Sequence, residues 1–527
     1  MSRSNWQNRT LFHGDNLDFL RAMNSASVDL IATDPPFNKG RDFHATPDSL
    51  ASGAKFQDRW SWERDVHEEW TDQIKDDYPR LMEAIESARY AHSDGMGAFM
   101  CFMAVRLLAM RRVLKPAGSI YLHCDPTASH YLKAIMDAVF GQDAFRNEIV
   151  WKRTPAKALM SRRLPSNHDV ILFYQAGERP KWNADAIFVP YDPDNLDERT
   201  AVKYRHRDPN GRIYRLDNLI NPNRDRPNLT YEFLGVTRVW RWTRERMQAA
   251  YEAGLVVQRK PGGVPQLKRY LDEQKGRPLG DVWTDIPPIN SQAKERIGYP
   301  TQKPLELYER IIKASSNEGD MVLDPFCGCA TTLVAAERLK RQWVGIDIWD
   351  EAHQTVIRRL QSEGLEGPDG SLGEALPLYG KIHYFKEPPE RTDSGETATI
   401  ALETINRREL AAWQKLSHKQ MVAILKEAQA DADDKSLVIC AGCGRKLEPE
   451  FMELDHITPR SEPHSTNDLS NRILLCRPCN GRKSNKLAMT GLRNENKKAG
   501  WMMDEERSKQ AVTMAYNAYR REQRKDG

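Results

Sequence analysis

The sequence predicts an α/β protein built on a mostly parallel sheet, followed by a small metal-stapled module. Three observations carry this expectation. Strand-like and helix-like segments alternate through the first half of the chain, as they do when helices cover both faces of a parallel sheet. A strand at Met321 to Leu323, a helix at Ala330 to Lys340 and a strand at Trp343 to Ile346 form one βαβ unit. Cys440/Cys443 and Cys476/Cys479 are two Cys-x-x-Cys pairs with the spacing of metal knuckles. At 527 residues the chain is too long for one ordinary core, so several folded units are expected.

The elements follow in order. Val28 to Thr33 is a short apolar run stopped by Asp34-Pro35-Pro36, and it reads as a buried strand because proline cannot continue the ladder. Phe99 to Leu114 carries apolar residues at helical spacing and ends before Lys115-Pro116-Ala117-Gly118, with a strand at Ser119 to His123. Asp169 to Tyr174 reads as another strand. From 150 to 290 the pattern loosens into charged, aromatic, proline-dotted sequence, read as an inserted recognition region. A helix at Pro304 to Ala314 leads into the βαβ unit. Beyond Gly364 the chain is rich in Gly, Pro and charge and reads as a linker, with a polar helix over Thr404 to Ala430. Asp504 to Arg524 reads as an amphipathic packing helix. The expected divisions are 1–149, 150–290, 291–365, 366–436 and 437–527.

The net charge of +4 is small for this length and does not by itself announce a nucleic-acid partner. Its distribution is more informative. Between Lys203 and Arg246, basic and aromatic residues interleave, a pattern that suits phosphates and stacked bases but equally a solvated face over a few core aromatics. No apolar run has membrane-spanning length and Ser2 to Leu30 carries no signal-peptide pattern, so the expectation is a cytoplasmic protein without a membrane partner.

Two motifs carry chemistry. Asp324-Pro325-Phe326-Cys327-Gly328-Cys329-Ala330-Thr331-Thr332 lies between strand and helix, where small residues let a ligand approach the backbone and helix N–H groups favour a carboxylate. Asp347 ends the second strand, where an acid commonly grips ribose hydroxyls, and Asp324 is placed to bind an ammonium group. Asp34-Pro35-Pro36-Phe37 caps a strand at the sheet edge where open α/β proteins place their sites. An exocyclic amine of a base is a poor nucleophile because its lone pair is delocalised into the ring. The Asp34 carboxylate and the Pro35 carbonyl can accept two hydrogen bonds that favour pyramidal nitrogen, while Phe37 stacks on a base extruded from the duplex. Taken singly, each motif also fits a plain turn of some other α/β protein.

Together with His13-Gly14-Asp15-Asn16, Tyr299-Pro300-Thr301-Gln302-Lys303-Pro304 and Gly345-Ile346-Asp347, these motifs resemble the beta-class DNA amino-methyltransferases, over about Leu11 to Leu360. The resemblance implies a Rossmann-like methyltransferase fold with an inserted target-recognition region, S-adenosylmethionine as donor and double-stranded DNA as substrate. It places Asp15 near the cofactor's adenine, Asp347 at its ribose, Thr301, Gln302 and Lys303 along the cofactor pocket, and Asp324, Phe326 and Gly328 around its methionine part. Asp at the first motif position implies adenine N6 as the target, with cytosine N4 as the alternative. Cys329-Ala330-Thr331 departs from the family's usual Ser-Gly-Thr, which raises the question of backbone strain.

The four C-terminal cysteines suit tetrahedral zinc. Between and after the knuckles stand Leu454-Asp455-His456-Ile457, Asn471 and Asn480, a pattern that resembles the HNH endonucleases, small zinc-stabilised ββα-metal domains. In that resemblance His456 is the general base, Asp455 and Asn480 hold a divalent ion such as magnesium, and Asn471 orders the loop that positions His456. Asn480 replaces the histidine of many members but keeps a carbonyl oxygen suited to a hard cation. Three functions are consistent with the sequence: a methyltransferase that also cuts DNA in a restriction-modification role, a solitary methyltransferase whose HNH module only binds DNA, and a DNA-binding protein with a degenerate cofactor site. Oligomeric state, a dimer among the options, is not written in the sequence.

Overall fold

The structure, a computed structural model, describes residues 4–525 apart from 46–48, 50, 52–53, 156–163, 178, 291, 294, 300, 363–381, 394–415 and 461–464. The chain divides into one unit of Met1–Asn183 with Asp281–Gly527 and a second of Ala184–Gly280. The first unit is organised by a nine-stranded sheet. Its strands are β1 (Thr10–His13), β2 (Val28–Thr33), β3 (Leu114–Cys124), β4 (Phe145–Lys152), β5 (His168–Gln175), β6 (Val282–Trp283), β7 (Met321–Asp324), β8 (Gln342–Asp347) and β9 (His383–Phe385). They lie in the order β6-β4-β5-β3-β2-β7-β8-β1-β9. Only β5 runs antiparallel to its neighbours.

Strand β2 is buried along all six residues, as a central strand covered on both faces must be. This includes Asp29, whose carboxylate accepts from Lys115 Nζ at 2.7 Å, Lys181 Nζ at 2.8 Å and the Met321 N–H at 3.0 Å. Burial pushes this carboxyl up, but the two ammonium groups and the backbone bond outweigh it and hold it below the usual range. Helix α1 (Asn16–Ala22) starts on Asp15, whose side chain caps the Leu17 N–H at 2.9 Å. The long helix α2 (Asp94–Val113) is capped by Ser93 and packs almost wholly inside the core. Helices α3 (Leu305–Ser315) and α4 (Thr331–Arg338) precede and follow β7.

Several expectations change. Segments 150–183 and 281–290 were expected in the recognition region, yet β5 and β6 belong to the main sheet and the second unit begins only at Ala184. The strand expected at Asp169 to Tyr174 is present as β5, buried over most of its length, but it lies in the main sheet and not in the recognition region. The stretch expected to be wholly linker contributes β9, which pairs with Thr10–Phe12; expected helical residues 404–415 lie outside the described residues, and the helix seen there is His418–Ala428. Lys115-Pro116-Ala117-Gly118, expected to separate helix from strand, is itself part of β3.

The second unit holds a four-stranded antiparallel sheet and a hairpin, Thr230–Phe233 with Val236–Val239, turned by Leu234 and Gly235 at positive φ. Both readings of its basic and aromatic stretch have a place. Trp240 and Tyr204 are buried, and Arg212 is held by Asp272 at 2.7 Å, whereas Arg224, Arg226, Arg238 and Arg241 are exposed.

The C-terminal module pairs Met452–His456 antiparallel with Arg472–Cys476 and continues into helix Arg477–Lys483, a ββα arrangement. Its core takes in Met421 and Leu425 upstream and Val512 and Ala515 of the final helix, Glu505–Lys525. Among the described residues no helix is long and apolar enough to cross a membrane.

The departure at Cys329-Ala330-Thr331 has a visible consequence: Ala330 precedes α4 at φ 64°, ψ 27°, a left-handed conformation that an L side chain adopts at about 1–2 kcal/mol. Ala330→Gly should therefore raise the unfolding free energy by roughly 0.5–1 kcal/mol, read as a higher denaturant midpoint at unchanged slope. A lower midpoint would show that the alanine methyl, fully buried here, contributes more through packing than the conformation costs.

Candidate functional site

Strands β2 and β7 are parallel neighbours, with Leu30 opposite Val322 and Ile31 opposite Leu323. This register brings Asp34-Pro35-Pro36-Phe37 and the loop from Asp324 to Ala330 out at the same sheet edge, although they stand far apart in the sequence. Thr33 Oγ1 donates to Asp324 Oδ1 at 2.8 Å, tying the two strand ends directly. They open into one cleft of about 1380 Å³, lined by Asp34 to Phe37 and by Asp324, Phe326 and Gly328. Asp15, Thr301, Gln302, Lys303 and Asp347 line the same cleft.

Lys303, which precedes α3, donates to Asp34 Oδ2 at 2.6 Å and lies 4.9 Å from the Phe37 ring centroid. Its side chain is 5% exposed, so the ammonium is a fixed cation beside the carboxylate. Asp34 Oδ1 is buried and has no hydrogen-bond partner among the described residues. Asp324 also accepts from the Phe326 N–H at 3.1 Å, but its burial, with the nearby Asp34 charge, pushes its carboxyl up to about 7. Asp347 accepts from the Gly328 N–H at 2.6 Å and the Trp349 N–H at 2.8 Å, and burial raises this carboxyl as well. Gly328 sits at φ +44°, where a Cβ would lie 2.8 Å from the Tyr299 hydroxyl, so the loop closes only with glycine.

Other sequence-selected residues serve the frame of the cleft. Asp15 receives two hydrogen bonds from buried Arg106, at 2.7 and 3.0 Å, besides capping α1. Gln302 accepts from the Ile297 N–H at 3.0 Å and donates to the Glu295 carbonyl at 2.6 Å, bracing the loop before Lys303. Thr301 is exposed at φ 61° and its carbonyl accepts from Lys303 Nζ at 3.3 Å.

The sequence reading missed a second layer beneath Phe37. His123, at the end of β3, stacks on Phe37 with ring centroids 5.7 Å apart and planes at 20°. Its Nε2 lies 3.1 Å from Asp169 Oδ2, and Arg153 Nε lies 2.9 Å from the other oxygen. Burial alone would raise the Asp169 carboxyl, but the His123 hydrogen bond and charge, with Lys303 and Arg153 beyond, hold it at about 2. Position at the end of a predicted strand was the available signal; pairing across β3 and β5 was not readable without the topology.

In the C-terminal module the sulfur atoms of Cys440, Cys443, Cys476 and Cys479 all lie within 4.8 Å of one another. N–H groups point at them: Cys476 N to Cys440 Sγ at 3.1 Å, Gly442 N to the same sulfur at 3.4 Å, and Asn496 Nδ2 to Cys479 Sγ at 3.3 Å. Four clustered sulfurs with N–H donors are the donor set of a tetrahedral thiolate metal site. His456 is buried; its Nδ1 lies 3.2 Å from Arg472 Nη1 and its Nε2 lies 2.9 Å from Asn467 Oδ1. Since guanidinium only donates, Nδ1 accepts from Arg472, while Nε2 faces both the Asn467 Oδ1 acceptor and, at 3.5 Å, the Arg460 Nε donor. Asp455 Oδ2 is 3.4 Å from buried Lys483 Nζ, and Asn480 donates its amide to Glu453 Oε2 at 2.7 Å. Asn471 accepts from the Thr458 N–H at 2.8 Å and donates to Ser465 Oγ at 3.0 Å, closing the loop that follows His456.

A DNA methylase family model matches residues 28–358 and an HNH endonuclease model matches residues 440–486. The type II methyltransferase M.EcaI of Enterobacter cloacae is 32% identical over 52% of this chain and 60% of its own length. The Mod subunit of the StyLTI type III restriction-modification enzyme of Salmonella typhimurium is 26% identical over 62% of this chain and 50% of its own. The DNA adenine methyltransferase YhdJ of Escherichia coli K12 is 24% identical over 67% and 82%. The chain thus spans about half of the length of some relatives it matches and most of others. A solved structure, M1.HpyAVI with S-adenosylmethionine, overlaps 67% of this chain and 99% of its own at 18% identity, with a TM-score of 0.29. With more than half of its residues inside the methylase match, the chain belongs to the N6/N4 DNA methylase family and carries an HNH endonuclease domain behind the methylase part.

Proposed function

We propose that the chain transfers a methyl group from S-adenosylmethionine to the exocyclic amine of a base in double-stranded DNA, with adenine N6 as the target. The observation that carries this is the shared cleft, in which Asp34 Oδ1 is a buried acceptor without a partner among the described residues, beside the loop from Asp324. When bound, S-adenosylmethionine supplies an activated methyl group next to a sulfonium. Asp324, raised by burial, is suited to the amino group of such a molecule, and Asp347 keeps further acceptor lone pairs for ribose hydroxyls. Gly328, packed against Tyr299 where a Cβ would clash, lets the loop keep the turn that aims its N–H at Asp347. Asp34 and the Pro35 carbonyl accept from the target amine, Lys303 holds the Asp34 carboxylate in place, and the ring of Phe37, backed by His123, supports the extruded base. Adenine is favoured by Asp at the first motif position and by the adenine activity in the name of YhdJ.

The methyl-transfer reading is tested with labelled S-adenosylmethionine and duplex DNA. Asp34→Ala should lower transfer by at least about 10²-fold with little change in cofactor binding; unchanged transfer would remove Asp34 from the reaction. The Asp324 assignment has its own signature. Below about pH 7 the carboxyl is protonated in the free protein, and an ammonium partner requires the anion, so binding releases a proton there. Cofactor affinity should fall as pH drops through 7 and level off above it, and calorimetry at pH 6.5 in buffers of different ionisation enthalpy should detect proton release. A pH-independent affinity would contradict the pairing.

The C-terminal module we read as a DNA-cleaving domain, with zinc on the four cysteines, His456 as general base and Asp455 and Asn480 as ligands of a magnesium-like ion. The ββα order and the contact of His456 Nε2 with Asn467 Oδ1, which orients the ring, support this. Magnesium-dependent cleavage should disappear in His456→Ala while methyl transfer persists. A protein that cleaves no DNA, methylated or not, would leave the module as a DNA-binding element.

A further inference from the structure

The C-terminal module rests on two methylase helices, Glu68–Asp77 and Pro79–Ala91, through contacts that converge on its catalytic loop. Asp76 and Asp77 end the first helix and are both buried. Asp76 forms an ion pair with Arg493 of helix Met489–Lys498, whose side chain is 4% exposed. Asp77 Oδ1 accepts from the Thr490 N–H at 2.8 Å. The Asp77 carbonyl accepts from Thr458 Oγ1 at 2.7 Å, two residues beyond His456. At the start of the second helix, Arg80 donates to Ser470 Oγ at 3.2 Å and pairs with Asp468. Tyr516 of the final helix donates to Glu83 at 3.3 Å.

These contacts fall on both ends of one loop. Thr458 is at its start, where the Asn471 side chain clasps it through bonds at 2.8 and 3.2 Å. Asp468 and Ser470 are at its end, flanked by the residues that hold the histidine. Asn467 Oδ1 lies 2.9 Å from His456 Nε2, and Arg472 donates to His456 Nδ1 and, at 3.0 Å, to Asn467 Oδ1. A buried carboxylate pair such as Asp76 and Asp77 is strongly unfavourable without partners, and those partners come from the C-terminal module, Arg493 for Asp76 and the Thr490 N–H for Asp77.

We infer that the methylase helices are part of the nuclease site: Asp77 and Arg80 act as positioning residues that fix Thr458 and the segment 465–472 and, through Asn467 and Arg472, the orientation of His456. The inference rests on the nuclease reading of the module. It makes cleavage dependent on the docked methylase half, which places the two activities of the chain in one mechanical assembly. Neither residue touches the methyl-transfer cleft, so the effect is confined to cleavage.

The test uses the full chain, with supercoiled unmethylated plasmid and magnesium for cleavage and labelled S-adenosylmethionine for transfer. Arg80→Ala and, from the nuclease side, Thr458→Val should each lower the cleavage kcat about tenfold or more, with the KM for plasmid and the methyl-transfer rate within twofold of the parent protein. Arg80→Lys, which keeps a donor and a charge, should recover most of the loss. Hydrogen exchange over 465–476, read by mass spectrometry, should speed up in Arg80→Ala whether or not the protein cuts. Unchanged cleavage together with unchanged exchange overturns the inference, as does a loss of cleavage that Arg80→Lys does not restore. If the parent protein cleaves nothing, the nuclease reading falls, and faster exchange in Arg80→Ala then supports the docking alone while unaltered exchange overturns that too.

Discussion

The hydrogen-bonded register between β2 and β7 is the constraint on which the rest of this structure depends. A parallel ladder fixes which residue of one strand lies beside which residue of the other, and shifting it by one residue would turn every side chain to the opposite face. With Ile31 against Leu323, both strands end together, and the Thr33 hydroxyl locks Asp324 to that arrangement. Asp34 and the loop from Asp324 then share one cleft as a consequence of backbone pairing, before any ligand is considered. Lys303 completes the geometry from the other side, because α3 carries it to the Asp34 carboxylate.

The cleft is arranged at some expense to the fold. Asp324 and Asp347 are acids raised by burial, Asp34 has a buried oxygen without a partner among the described residues, and Ala330 and Thr301 hold left-handed backbone. Such features recur where a protein keeps a site prepared for a ligand rather than optimised for stability. Elsewhere the chain settles its buried charges internally: Arg9 pairs with Glu337 at 3.1 Å, and Asp29 has two lysines and a backbone N–H.

Much of this was legible in the residues. Val28 to Thr33 was found to its exact bounds because proline ends the strand so sharply. The βαβ unit was recognisable since its apolar period switches cleanly between two and 3.6. The twelve residues selected around the methyl-transfer chemistry all line one cleft. What escaped were features created by non-local pairing. Strand β9 is three residues in a stretch of linker-like composition, and it becomes a strand only because β1 offers an edge. The His123 and Asp169 pair depends on β5 running antiparallel beside β3, which no local pattern encodes. The docking of the C-terminal module through Asp76, Asp77 and Arg80 was likewise unreadable, since charged residues at a helix end ordinarily mark a solvated surface.

The central claim, that register places a methyl donor against a base amine, is tested most directly by sequencing DNA from cells that express the protein with a method that reports methylated bases. The account predicts N6-methyladenine recurring within one short sequence, present with the parent protein and absent with Asp34→Ala. Genomic DNA carrying no new modified base in either case, despite soluble folded protein, would contradict it.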